Sequence, residues 1–323
     1  MTTAVSFSSS DQPAPFDFGP LLNSWKRSLK SRNVAEQTLK VYGTAGERMR
    51  RYILTYKPPE PDALPAPETL DAVHREHLEA WITHEIETTS ASSANVRFRP
   101  MKTFFNWLVD EEELDRSPMR SMRAPTPGEK EVPVISDNAL KALITVCSGK
   151  DFASRRDLAI IMLFIDTGVR LTELTARSIG DIDLDLQVLR VLGKSNRERA
   201  VPIGRTAATA VDRYLRALSK HGCSTEPDAP LWVGVKSKAP FTIWGVGTML
   251  ERRAEEAGLG HIHPHQFRHT FAHLWKVNGG NEDDLMRITG WRSRQMLARY
   301  AASAGAERAR NAHKNLSPGD NLK

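Results

Sequence analysis

The hydrophobic pattern of the chain begins abruptly after a polar start. Residues 1–18 mix Ser, Thr, Pro and Gln with few apolar positions, a composition that buries too little surface to offset the entropy of ordering. We therefore predict that residues 1–18 are disordered. From Phe18 onward, apolar residues recur at helical spacing, which predicts four helices over Leu21–Leu29, Leu39–Leu54, Val73–Ile86 and Val96–Val109.

Prolines mark two breaks in this pattern. Lys57–Pro67 separates the first pair of predicted helices from the second, and Ser117–Pro133 carries four prolines with basic residues between them. The second break is the better domain boundary. The predicted organisation is a disordered start (1–18), a helical domain (19–117), a linker (118–133), a second domain (134–301) and a tail (302–323).

The second domain changes period part-way along. Ser136 resembles an N-cap for a helix over Ala139–Cys147, and Asp157 opens a strongly apolar helix that Gly168 closes. Next, Val188–Leu192 and Ala200–Ile203 flank the polar turn Gly193–Arg199, a pattern typical of a hairpin with a basic tip. Helical patterns then return over Thr206–Leu218, Ile243–Ala257, Pro264–Val277, Asp283–Ile288 and Arg294–Ala301. We expect a mainly helical second domain with a small antiparallel sheet.

Composition excludes several classes of protein and leaves nucleic-acid binding open. Leu158–Ile165, the longest apolar run, is too short to cross a bilayer, so we expect a cytoplasmic protein without a membrane span. Cys147 and Cys223 are too few for a disulfide framework and lack the paired spacing of a zinc site. The net charge is +6. Basic residues cluster over Lys26–Arg32, Arg48–Arg51, Lys194–Arg199 and Arg308–Lys314, as they would on a polyanion-binding surface or on solvated helix faces.

Four residues of the second domain could act on a phosphodiester, whose cleavage needs cations for the non-bridging oxygens, a nucleophile and an acid. Arg170 and Glu173 are three residues apart, a spacing that also fits an ordinary ion pair. His265 and Arg268 would share a face near the start of a helix, where an anion is stabilised. A structural histidine, or a metal site of His265, His269 and His273, would use the same spacing. The zinc site is disfavoured because Gln266 stands where a zinc hydrolase usually has Glu.

The remaining candidates lie in the predicted hairpin and near the end of the chain. Lys194 occupies the hairpin turn, where it could carry an ammonium group into a DNA groove or simply be a solvated turn lysine. Tyr300 lies nine residues beyond Trp291. A tyrosine is most often a packing residue, and its ordinary pKa near 10 means that attack on phosphorus would require a base and a positive field.

In combination, these residues resemble the tyrosine recombinase family of phage integrases and Xer-type proteins. The resemblance rests on DTGVRLTEL, LGKSNRERAVPI, HQFRHTFAHL and TGWRSRQMLARY, which occur in the family's order over about residues 132–301. It implies that Arg170 and Arg268 clamp the scissile phosphate, Lys194 is the general acid, His265 assists proton transfer and Tyr300 attacks phosphorus. Glu173 would orient its neighbours.

Trp291 departs from the commonest family pattern, which has a second histidine at this position. The substitution is similar to the one in Cre-type recombinases. An indole N–H can donate a hydrogen bond to a phosphate oxygen but cannot titrate, so the expected role of Trp291 is orientation and transition-state binding.

The resemblance also implies a fold, partners and a reaction. The first domain would be a four-helix, SAM-like core-binding domain, because VRFRPMKTFFNWLVDEEEL resembles the last helix of such domains, and the second an α+β catalytic domain. The expected activity is cofactor- and metal-free, site-specific recombination of double-stranded DNA by a homotetramer, through a 3′-phosphotyrosyl intermediate. Residues 302–323 are the candidate subunit-linking segment, and an accessory protein is left open. A type IB topoisomerase and a non-catalytic DNA-binding regulator are the alternatives.

Overall fold

The chain folds into two compact units, Met1–Lys130 and Glu131–Lys323. The structure is a computed structural model that describes residues 16–58, 63–128, 133–193 and 197–294, and beyond these 297, 305, 309–310, 312–314 and 316–322. The division between the units falls inside the proline-rich segment Ser117–Pro133. Across the described residues, no helix is both long and apolar enough to span a membrane.

In the part of unit 1 that the structure describes, four helices pack around an aromatic core. Its buried side chains include Trp25, Trp81, Phe104 and Phe105, each 3% exposed or less. The helices recur at the predicted positions because each turns one apolar face toward this core. They are α1 (Gly19–Ser31), α2 (Glu36–Leu54), α3 (Arg75–Thr88) and α4 (Ala91–Asp110).

Residues 16–18 correct the predicted disordered start. Phe18 is fully buried in the core of unit 1, and its ring packs edge-on against those of Phe104 and Phe105. The backbone N–H of Phe16 donates to the carbonyl of Pro67 at 2.8 Å. Phe16 and Phe18 thus place two aromatic rings within a three-residue segment, and two such rings bury enough surface to order it. The rest of the predicted disordered segment, 1–15, lies outside the described residues.

Within its described residues, unit 2 combines α-helices with a three-stranded antiparallel sheet in the order β1-β2-β3. The mainly helical architecture with a small antiparallel sheet is thus confirmed. The helices are α5 (Asp137–Val146), α6 (Phe152–Thr167), α7 (Leu171–Thr175), α8 (Arg205–Lys220), α9 (Ile243–Glu256), α10 (Pro264–Val277) and α11 (Glu282–Thr289). The strands are β1 (Ile182–Asp183), β2 (Val188–Gly193) and β3 (Arg197–Pro202).

Helix α6 starts earlier than the sequence pattern predicts. Asp151 is its N-cap and accepts a hydrogen bond from the backbone N–H of Ser154 at 3.0 Å, so Asp157 is not the opening residue. Asp157 is instead fully buried, where it receives hydrogen bonds from Arg156 and Arg253. A carboxylate inside a helix can be buried when guanidinium groups neutralise it.

The hairpin of unit 2 pairs more residues than expected. β2 and β3 run in register from Val188 opposite Pro202 to Gly193 opposite Arg197, so β3 begins three residues before the predicted Ala200. Arg199 lies on the same face of β3 as the buried Val201, although its side chain is charged. The intervening residues 194–196 lie outside the described residues.

Candidate active site

Arg170 and Glu173 meet at the start of α7, immediately after the end of α6. The Glu173 carboxylate accepts the backbone N–H of Arg170 at 2.9 Å and its Nη1 at 2.7 Å. This contact closes the first turn of the helix in the manner of a capping box. Glu173 is 4% exposed, whereas the Arg170 side chain is 40% exposed. The cation therefore faces solvent while its carboxylate partner is buried beneath it.

A second arginine, Arg199, also holds Glu173. Its Nη1 and Nη2 donate to the two carboxylate oxygens at 3.0 and 2.9 Å, a two-pronged arrangement that suits the planar guanidinium. Its Nε donates to the carbonyl of Ile288, near the end of α11, at 2.9 Å. Sequence reasoning missed this contact: Arg199 was visible only as part of a basic turn.

These contacts fix the charge of Glu173. Burial by itself would raise the pKa of this carboxyl group, but the hydrogen bonds from Arg199 and from the Arg170 backbone outweigh burial. The net result is a pKa of about 2. Glu173 is consequently an anion throughout the neutral range, and it balances one of the two guanidinium charges that contact it.

Arg268 lies on α10 and is 1% exposed. Its Nη1 donates to the carbonyl of Gly168 at 2.8 Å, and its Nη2 donates to the carbonyl of Thr289 at 2.6 Å. Gly168 is the left-handed C-cap of α6 and lies two residues before Arg170. The hydrogen bond to Gly168 thus holds Arg268 close to the backbone that carries Arg170.

Trp291 packs beside Arg268. The guanidinium carbon of Arg268 lies 5.0 Å from the centroid of the indole ring, within the range of a cation–π contact. The ring is 5% exposed and belongs to a small apolar cluster with Phe271 and Leu285. The backbone N–H of Trp291 donates to the carbonyl of Met286, which fixes the residue at the end of α11.

His265 occupies the first turn of α10, directly after Pro264. The pKa of His265 is lowered below its ordinary value of 6.5, first because its environment partly desolvates the imidazolium, and then because Arg268 and Arg170 repel it. The positive end of the helix dipole, at the N-terminus of α10, also disfavours the charged imidazolium. The imidazole is therefore neutral at pH 7 and able to accept a proton.

The described residues thus form a cationic site at the junction of four elements. Arg170, Arg199 and Arg268 contribute three guanidinium charges, and the carboxylate of Glu173 contacts the first two of them. An excess of fixed positive charge with a neutral imidazole beside it suits an anion that undergoes proton transfer, as a phosphodiester does.

Comparisons with known proteins agree with this chemistry. The model of the phage integrase family matches residues 133–307, more than half of the chain. Tyrosine recombinase XerC from Herpetosiphon aurantiacus is 31% identical over 222 residues, which cover 68% of this chain and 72% of the relative. The chain belongs to the phage integrase family.

Two solved structures show that the likeness extends to the fold of this recombinase. The XerH site-specific recombinase, in a post-cleavage complex with a palindromic difH substrate, superposes with a TM-score of 0.69. Its sequence identity is 16%, and the match covers 93% of this chain and 84% of that one. The lambda integrase tetramer bound to a Holliday junction has a TM-score of 0.65 at 17% identity, over 86% of this chain and 78% of the other.

Two predicted site residues of the recombinase, Lys194 and Tyr300, lie outside the described residues, as does most of the predicted helix Arg294–Ala301. The chain on either side of Lys194 is described, with Gly193 paired to Arg197. Before Tyr300, Leu297 is buried in the apolar cluster of Trp291. The structure therefore brings Arg170, Glu173, His265, Arg268 and Trp291 together, and it carries no geometry for the other two.

The alternative of a histidine metal site has no counterpart in the geometry. Within the part of the chain that the structure describes, no group of three or more His, Cys, Asp or Glu side chains is placed to hold a metal ion. The rings of His265 and His269 stand edge to face with their centroids 5.2 Å apart. His269 and His273, also on α10, are buried within unit 2.

Proposed function

We propose that this site-specific recombinase cuts and rejoins double-stranded DNA through a 3′-phosphotyrosyl bond at Tyr300. The observation that carries the proposal is the convergence of Arg170, Arg268 and a neutral His265, with an ionised Glu173 holding Arg170. A phosphodiester needs fixed cations for its non-bridging oxygens and a nearby group for proton transfer, and this site has both.

In this mechanism Arg170 and Arg268 bind the scissile phosphate. Each guanidinium is held by protein groups before DNA arrives, Arg170 by Glu173 and Arg268 by the carbonyls of Gly168 and Thr289. Donors fixed in advance stabilise developing charge without having to reorganise during the reaction. Trp291, beside Arg268, would hold that guanidinium in place and orient a phosphate oxygen.

Two proton transfers accompany cleavage. The phenol of Tyr300 loses its proton as its oxygen attacks phosphorus, and neutral His265 assists this loss. Lys194 donates a proton to the departing 5′ oxygen, which leaves as a hydroxyl. In the rejoining step, a 5′-hydroxyl attacks the phosphotyrosine and the same groups work in reverse. Because one phosphodiester replaces another, the exchange needs no nucleotide and no metal.

The two units would share the work. We assign DNA binding to unit 1 and catalysis to unit 2, with both units contacting one duplex. Four copies of the chain would assemble as a homotetramer on two DNA sites in the cytoplasm. The tetrameric lambda integrase on a Holliday junction supports this assembly. Residues 302–323, only part of which the structure describes, are our candidate for the segment that links subunits.

The decisive experiment looks for the covalent intermediate. Wild-type protein is incubated with a labelled library of random-sequence duplexes, and adducts that survive denaturing electrophoresis but disappear after protease treatment are recovered and sequenced. We expect a captured duplex with wild type and none with Tyr300→Phe, which should still bind DNA.

The other outcomes separate the alternatives. Supercoil relaxation by nicking and resealing of one duplex, without exchange between duplexes, would indicate a type IB topoisomerase. Tight binding without any adduct would indicate a DNA-binding regulator. An adduct that persists with Tyr300→Phe would mean that another residue is the nucleophile.

A further inference from the structure

Arg199 occupies an unusual position for a charged residue on a β-strand. It lies opposite Val191 in the β2–β3 pair and on the same face as the buried Val201. Its side chain is 15% exposed. Burying a guanidinium is costly unless its donors are satisfied by well-placed acceptors. Its partners therefore indicate what the residue does.

Those partners belong to two elements that are far apart in the chain. Arg199 holds both carboxylate oxygens of Glu173, on α7, and the carbonyl of Ile288, at the end of α11. The last carbonyl groups of a helix accept no hydrogen bond from within the helix, so they need donors from outside it. At α11 the carbonyl of Ile288 is satisfied by Arg199, and the next one, of Thr289, by Arg268.

Arg199 also packs against the turn that follows α11. Gly290 has a φ of +70°, and a Cβ at this position would lie 3.2 Å from the guanidinium carbon of Arg199. Trp291 follows directly, with its ring beside Arg268. The Arg199 guanidinium therefore lies between Glu173, which holds Arg170, and the backbone that leads into Trp291.

We propose that Arg199 is a positioning residue for strand cleavage: it balances the charge of Glu173 and fixes the end of α11. Through Glu173 it sets the orientation of Arg170, and through Ile288 and Gly290 it sets the place of Trp291. It acts through these protein groups without contacting DNA. The inference rests on the proposed function, because it assigns a role in that reaction.

The test compares Arg199→Gln with a matched variant, Arg156→Gln. Arg156, which is 3% exposed, is another arginine of unit 2 that hydrogen bonds to a carboxylate, Asp157, and to a carbonyl, that of Val233, and neither partner is a residue of the site. Both substitutions should lower the melting temperature. Single-turnover cleavage and DNA affinity are then measured on the captured duplex, with both variants kept well below their melting temperatures.

We expect Arg199→Gln to slow cleavage up to about 100-fold, the cost of a small misplacement of catalytic groups, while its DNA affinity stays within about threefold of wild type. Arg156→Gln should cleave at nearly the wild-type rate. Arg199→Lys should recover part of the loss, since it keeps the charge beside Glu173 but cannot bridge to Ile288. Combining Arg199→Gln with Glu173→Gln should slow cleavage less than the product of the two single effects.

Several results would overturn the role of Arg199. These are a wild-type cleavage rate for Arg199→Gln, equal losses for Arg199→Gln and Arg156→Gln, a fall in DNA affinity that matches the fall in rate, or fully multiplicative effects with Glu173→Gln. If wild-type protein forms no adduct at all, the proposed function fails and this inference fails with it.

Discussion

The ionisation state of His265 is set by its neighbours. Partial desolvation and the charges of Arg268 and Arg170 all disfavour the imidazolium, so the pKa of His265 falls below 6.5. An imidazole whose pKa is lowered below 6.5 is mainly neutral at pH 7 and becomes charged only as the pH drops through that lowered pKa. In the proposed mechanism the neutral form is the active one, because only it can assist removal of the proton from Tyr300.

This leads to a pH prediction at the residue scale. The single-turnover cleavage rate of wild type should fall as the pH drops below 6.5 and through the lowered pKa of His265, whereas His265→Gln should be slow and lack this decline. The measurement is the rate of adduct formation on the captured duplex across that range, with DNA affinity measured in parallel. A decline of the same shape in His265→Gln would assign it to another group.

The sequence could predict some of these residues and not others. Arg170 with Glu173, and His265 with Arg268, are close in the chain and lie in recognisable motifs. Arg199 contacts a carboxylate 26 residues away and a carbonyl 89 residues away. No local pattern encodes such contacts, since they depend on how β3 packs against α7 and α11. The basic character of the turn was visible, but the partly buried position of Arg199 was not.

At the scale of elements, the end of α6 determines where two arginines lie. Gly168 ends α6 with a φ of +58°, and its carbonyl accepts the hydrogen bond from Arg268. A Cβ at this position would lie 2.6 Å from the Phe271 ring, also on α10. The glycine is therefore required both by the left-handed turn and by the close approach of α10.

We predict that Gly168→Ala lowers the free energy of unfolding by about 2–5 kcal/mol, which combines the left-handed backbone cost with overpacking against Phe271. Gly258→Ala is the matched control. Gly258 also follows a helix, has a φ of +66°, and has no atom within 4 Å of an added Cβ, so only the backbone cost of about 1–2 kcal/mol applies. Denaturant unfolding measures both, and equal losses would contradict the steric argument.

Elements were more predictable than their boundaries. Apolar periodicity located the helices of unit 1 and the β2–β3 hairpin, because each presents one face to a core. The early start of α6 escaped the pattern because the helix begins with charged residues, Arg155 and Arg156, and the burial of Arg156 depends on a partner elsewhere in the chain. β1 escaped because two residues are too few to show any period.

At the scale of the whole molecule, each unit has its own hydrophobic core and its own basic residues. The core of unit 1 is built around Phe18, Trp25 and Trp81, and that of unit 2 around Phe164, Tyr214 and Trp232. Exposed lysines and arginines occur on α1 of unit 1 and near the ends of β3 in unit 2. With a net charge of +6, a large share of the DNA-binding free energy should come from phosphate contacts.

This predicts a steep dependence of DNA affinity on salt. Each phosphate that a lysine or arginine neutralises releases condensed cations, so a protein making about six contacts loses roughly a thousandfold in affinity between about 50 and 200 mM salt. Tyr300→Phe is the protein to use, because binding then stays reversible. The captured duplex and an unrelated duplex should give nearly parallel plots of log affinity against log salt, displaced vertically, since phosphates are common to both. An affinity for the captured duplex that hardly changes with salt would show that base contacts, and not the basic surfaces of the two units, dominate binding.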